Sequence, residues 1–298
     1  MAAQQSATQA LLTLVDKLLS LTPSSRPRQR WISGMQPKSC SGGRHTSSST
    51  VIIIMIIYGG NQVFTPGSQI ISSARTRDLI TTAGMEEVQW SSANSAQQLE
   101  LHQSQFQNTS DEEQRKQATM WIGYYEGLVE AMPHLSVSLP SITFKNQLEI
   151  HGSKQTAELI TFEGGHTQSD TVLHLPQEGI VFMSDLLFVG YHPYLGDGDP
   201  LQLLKTLGKL SQINATRLVP GHGPVGSSAD LELLIEYVKY CLDTAQYLVN
   251  EGSAQDDKIK ELKVAERYQH LRFPRFFQSN IRGLCQKLSP ASGDNTTH

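Results

Sequence analysis

Two histidines of this chain sit where a folded protein could use them. His166 lies in Glu163-Gly164-Gly165-His166-Thr167, and His222 in Pro220-Gly221-His222-Gly223-Pro224. Each follows a short apolar run that reads as a strand, and each has glycine beside it. Glycine lets the backbone turn sharply without burying the imidazole. Asp185 follows a third apolar run, Ile180 to Met183. Strand ends and the loops behind them are where a rigid sheet presents ligands. Imidazole nitrogen and carboxylate oxygen suit zinc and similar divalent ions. Taken singly, a histidine beside glycine is more often a turn residue than a ligand. It is the order of the three that carries the reading.

The other histidines are plainer. His174 falls inside a strand and His134 beside Pro133, so both read as structural. His151 is open to either reading. Gly221 to Gly226 also fits the G-x-G-x-x-G pattern of a dinucleotide loop. No second parallel strand is expected after it, and Pro224 would remove an N–H from the phosphate cradle. No G-x-S-x-G or P-loop pattern occurs.

The elements that must position these residues alternate. Residues 7 to 21 have helical apolar spacing, at Leu11, Leu12, Val15, Leu18 and Leu19. Residues 22 to 50 are rich in Ser, Arg, Pro and Gly and read as irregular. Val51 to Tyr58 reads as a buried strand closed by Gly59-Gly60, and Gln69 to Ser72 as a second. Residues 74 to 132 read as mainly helical, most clearly from Asp111 to Met132. Five short strands follow, at 141–144, 148–151, 157–162, 171–175 and 180–183. Next come a helix from Asp199 to Leu210 and a strand from Arg217 to Val219 ending at Pro220-Gly221. A helix over 228–249 opens on a Ser227/Asp230 capping box. The pattern predicts an α/β protein, with residues 1–50 a poorly ordered segment and 51–298 one domain.

Composition limits the function. The 298 residues are 38% hydrophobic and 17% charged, with a net charge of −4. This is a globular balance, without the clustered basic charge that nucleic-acid binding needs. The apolar run at 51–58 is too short to span a membrane, and the N-terminal 21 residues lack the basic start of a signal peptide. Cys40, Cys241 and Cys285 form no CxxC pair and read as free thiols. The expected setting is cytoplasmic, with a small-molecule substrate and no nucleic-acid or membrane partner.

The stretches EGGHTQSDTVLHLPQEGIVFMSDLLF at 163–188 and LVPGHGPVG at 218–226, in that order, resemble the metallo-β-lactamase superfamily. HPYLGDGDP at 192–200 and FFQSNIRGLCQKL at 276–288 look like one branch of its hydrolases. The resemblance implies a four-layer αββα sandwich, two sheets with helices outside, and a pair of zinc ions at one edge. His166 and His222 would each serve an ion, Asp185 would bridge both, and Asp170 would orient His166 or its loop. Metal-bound hydroxide would attack a carbonyl.

One departure is large. The family's His-x-His-x-Asp-His motif belongs just before GGNQVF at 59–64, where VIIIMIIY stands instead. No His or Asp occurs between His45 and Asp78. The run reads as a β-branched core strand, but its codons permit another reading. With the frame shifted so that each codon begins on the previous third base, Ile-Ile steps read His, Tyr or Asn, and Met55-Ile56 reads Asp. The shifted run can spell His-x-His-x-Asp-His directly before the glycine turn. Residues from about 22 to 58 are on this account translated out of frame, which leaves the first strands of the sandwich incomplete and the metal site partial. The result would be a catalytically impaired product that retains the fold.

Overall fold

The computed structural model describes residues 47–49, 59–64, 69–152 and 155–289. The expected helix at 7–21, the strand at 51–58 and most of the irregular stretch at 22–50 lie outside them. The chain is a mixed α/β protein whose residues divide into two compact units at Lys145/Asn146.

In the first unit, β1 (Ser47–Ser49), β2 (Gln69–Ser73) and β3 (Ile142–Phe144) form a parallel sheet in that order. The strand β1 falls within the segment expected to be irregular, where no apolar alternation marks it. Helix α1 (Ala74–Leu79) begins directly from β2, because the Ser73 hydroxyl caps it by accepting from the Thr76 N–H at 2.9 Å. A single π-turn, Ile80–Gly84, leads into α2 (Met85–Asn108), and α3 (Glu112–Ala131) returns beside it. Asp111 caps α3 through the Gln114 N–H at 2.8 Å. The glycine turn at 59–64 is tied to the segment after α3. The Asn61 Nδ2 donates to the Ser138 carbonyl at 3.1 Å, and the Ser136 N–H donates to Gln62 at 2.7 Å.

The second unit carries four of the five strands expected over 141–183; the first of the five, at 141–144, is β3 of the first unit. The strands β4 (Gln147–His151), β5 (Thr156–Phe162), β6 (Asp170–Leu175) and β7 (Ile180–Phe188) are successive antiparallel neighbours. The chain then crosses through α4 (Pro200–Leu210), and β8 (Arg217–His222) pairs parallel to β7 as the edge strand. Such a parallel pair needs a helical crossover, and α4 fits the part. Asp199 caps it, Pro200 sits at its first position, and Leu203, Leu207 and Leu210 are buried on one side. Helix α5 (Ser228–Asn250) opens on the expected capping box, with the Asp230 carboxylate accepting from the Ser227 N–H at 2.8 Å. Its buried Leu231, Leu234, Val238 and Cys241 recur at helical steps. After α6 (Asp256–Glu261), helix α7 (Arg275–Leu288) packs against α5 and α6 and adds Phe277, Ile281 and Leu284 to the same core. Cys241 and Cys285 are buried free thiols. Among the described residues no helix is long and apolar enough to cross a membrane.

Candidate metal-facing site

The loop after β5, the middle of β7 and the end of β8 bring the singled-out residues of the second unit together. The loop after β5 carries His166, which is buried. Asp170, at the start of β6, ties that loop down. Its carboxylate accepts from the Thr167 hydroxyl at 2.8 Å and from the Thr167 N–H at 3.1 Å. Burial pushes the Asp170 carboxyl up to about 6, against the lowering effect of hydrogen bonds from Thr167 and the His166 backbone. Asp170 therefore acts on the loop backbone.

Asp185 lies inside β7, which runs further than its apolar residues predict. The strand is irregular around Ser184, where the register to β8 shifts. Ser184 has φ +51°. A non-glycine residue in that region is strained, and such strain collects at functional positions. Here the irregularity re-aims the neighbouring Asp185. The strand β8 also runs further than expected, through Pro220 and Gly221 to His222, which pairs with Phe188. Proline is tolerated because β8 is an edge strand. His222 is thus the last residue of a strand and not part of the loop behind it.

The His222 Nε2 lies 3.4 Å from the Asp185 Oδ1, and the His166 Nε2 lies 3.9 Å from the Asp185 Oδ2. The Phe188 ring stacks on His222, with centroids 4.8 Å apart, and lies 5.7 Å from His166. Burial, and then the nearby His222, lower the His166 pKa to about 4. His166 is therefore neutral at pH 7, the state in which imidazole binds metal. His174 pairs with Glu158 across β5 and β6 at 3.0 Å, a structural role as expected. His134 is exposed in a short turn, and His151 is exposed beside Glu149.

Sequence reasoning missed the residues that hold the loop at 192–199 against His166. A Cβ on Gly198 would collide with the carbonyl oxygens of Gly165 and His166, so only glycine allows this approach. From α7, Asn280 accepts from the Leu195 N–H at 2.9 Å and donates to the Pro193 carbonyl at 2.7 Å. The Lys287 ammonium donates to the carbonyls of Gly196 and Gly198 at 3.0 and 2.6 Å. The Tyr237 hydroxyl lies 2.7 Å from His192 Nδ1. The only signal for these contacts was that the 192–200 and 276–288 stretches resemble one family branch together.

The segment Gly221 to Gly226 is no phosphate cradle. Leu218 and Gly226 exchange two backbone hydrogen bonds, at 2.9 and 2.8 Å, which closes the segment onto β8. Among the described residues no strand follows it.

Residues 99–222, which include all three candidate residues, match the model of the Metallo-beta-lactamase superfamily. No curated protein is matched by the chain. Among solved structures the chain is similar to a metallo-beta-lactamase from Pontibacter korlensis, at 19% identity and a TM-score of 0.44, covering 65% of this chain and 69% of that one. It is also similar to a metallo-beta-lactamase family protein from Thermus thermophilus, at 14% identity and a TM-score of 0.46, covering 78% and 70%.

The donor set does not fit the pair of metal ions that members of this superfamily generally hold. Among the described residues no group of three or more His, Cys, Asp or Glu side chains is arranged to hold an ion. His166, Asp185 and His222 converge pairwise on one carboxylate, and VIIIMIIY, where further ligands would belong, contains no ligand side chain.

Proposed function

We propose that the chain is built on the scaffold of a metal-dependent hydrolase of a small ester, thioester, lactone or lactam. In this reading His166, Asp185 and His222 are the residues of that scaffold that face zinc. The observation that carries it is the meeting of the loop after β5, the middle of β7 and the end of β8 around the Asp185 carboxylate. A neutral His166 and the strained Ser184 beside Asp185 support it. Buried free thiols and the absence of clustered basic charge support a cytoplasmic setting without nucleic-acid partners.

A second reading is favoured by the donor set. As written, the chain is a catalytically impaired product that retains much of the fold, with residues from about 22 to 58 translated out of frame. Sequencing the native transcript across codons 20 to 62 separates the two. A frame that opens to His-x-His-x-Asp-His before Gly59 supports an active hydrolase from which this chain derives. A transcript that encodes VIIIMIIY in frame overturns that derivation, and this chain would then show little hydrolysis.

A further inference from the structure

Beside the candidate site, the 190–194 segment and the start of α7 bring four aromatic rings and two guanidinium groups to one surface. The two segments are locked by their backbones. The His192 N–H donates to the Arg272 carbonyl at 2.9 Å, and the Arg272 N–H donates to the Gly190 carbonyl at 3.0 Å. Tyr191 stacks on Phe273 with centroids 5.8 Å apart, Phe273 lies 6.1 Å from Phe276, and Phe276 lies 5.7 Å from Tyr194. The Arg272 guanidinium lies 5.6 Å from the Tyr191 ring, and that of Arg275 lies 5.0 Å from Phe276 and 6.0 Å from Phe273.

Three features distinguish this surface from scattered exposed residues. Phe273 is 40% exposed and Tyr194 36% exposed, although both are large aromatics in a connected group. Phe273 is also held at φ +60°, a conformation a bulky residue adopts at a cost. Arg267 and Arg282 are neutralised by Glu236 and Asp256. Arg272 instead rests on the Tyr191 ring and donates to its hydroxyl at 3.3 Å. A guanidinium held on an aromatic face keeps its outer N–H groups for an anion.

We propose that Tyr191, Tyr194, Phe273 and Phe276, with Arg272 and Arg275, form a binding shelf for a small organic anion with an aromatic or acyl body. The rings take the body and the Arg272 guanidinium takes a carboxylate or phosphate. Phe188, three residues before Tyr191, stacks on His222 and lines one cavity with Tyr191. The shelf therefore borders the candidate site and names a substrate class for it. It rests on the proposed function only for the reaction, not for the binding.

The test is a fluorescence titration of the full chain, in a chelator, with 1-naphthyl phosphate, 1-naphthol and inorganic phosphate as separate probes. The expected result is saturable binding of 1-naphthyl phosphate, tighter than either other probe by about tenfold, with both the charge and the ring contributing. Arg272→Gln, an exposed change, should abolish most of the advantage over 1-naphthol and leave 1-naphthol unaffected. Phe273→Gly, which relieves the positive φ, should weaken both aromatic probes. Equal binding of 1-naphthyl phosphate by the native chain and Arg272→Gln, or no saturable binding, overturns the shelf. Because metal is excluded, binding here with no zinc uptake elsewhere would sink the metal reading and leave the shelf standing.

Discussion

Gly221 has no side chain because the Asp185 carboxylate occupies the space where one would be. A Cβ at position 221 would collide with the Asp185 Oδ1 and crowd the backbone of Ser184. The two residues lie on neighbouring strands, beside the register shift that re-aims Asp185. Gly221→Ala should therefore lower stability by about 2–3 kcal/mol, the usual cost of overpacking a rigid interior. Urea unfolding checks this. An unchanged midpoint would mean that Asp185 is free to turn away.

The loop at 192–199 depends on α7. Asn280→Ala strips the partners from the Leu195 N–H and the Pro193 carbonyl in a buried setting. It should cost about 2–4 kcal/mol, because two backbone groups lose their partners. Lys287 is exposed, so Lys287→Met should cost under about 1 kcal/mol. Hydrogen exchange at the Leu195 amide should accelerate strongly in the first variant and little in the second.

These contacts show what the sequence made legible. The strand–helix order and the capping box of α5 follow from apolar runs and capping residues, and the convergence of His166, Asp185 and His222 from the order of motifs that resemble a known superfamily. The far halves of β7 and β8 did not, because the irregularity at Ser184 and the Pro220-Gly221 pair look like strand breakers. Tertiary pairing overrode them, with edge position and the lack of a Cβ making room. The strand β1 was hidden because three serines carry no apolar signal, and its pairing partner at Gln69 to Ile71 decides its state. Asn280 and Lys287 were hidden because their partners are backbone carbonyls and amides, which leave no mark on residue type.

Stability should fall in mild acid. Burial, with His270 nearby, lowers the His192 pKa to about 4 from 6.5. The unfolded chain therefore binds a proton that the folded chain refuses. The stability from His192 is complete above pH 6.5 and is lost as the pH falls towards 4. His166, lowered to about 4 mainly by burial, acts in the same window. Between pH 7 and pH 5 each histidine should account for about 2 kcal/mol, offset in part by about 1 kcal/mol from Asp170, whose carboxyl, raised to about 6, binds a proton more readily in the folded chain. Urea unfolding at the two pH values checks this, and His192→Gln should remove its share of the difference. A pH-independent midpoint would contradict the burial of a neutral ring.

The most direct test of the account is zinc uptake by the purified chain, measured by equilibrium dialysis for the native sequence and for His166→Ala, Asp185→Asn and His222→Ala. The account predicts weak uptake of about one ion per chain, as a partial donor set allows, and loss of that uptake in each of the three variants. No uptake by the native chain, or the same uptake in all three variants, would contradict the claim that these residues face a metal.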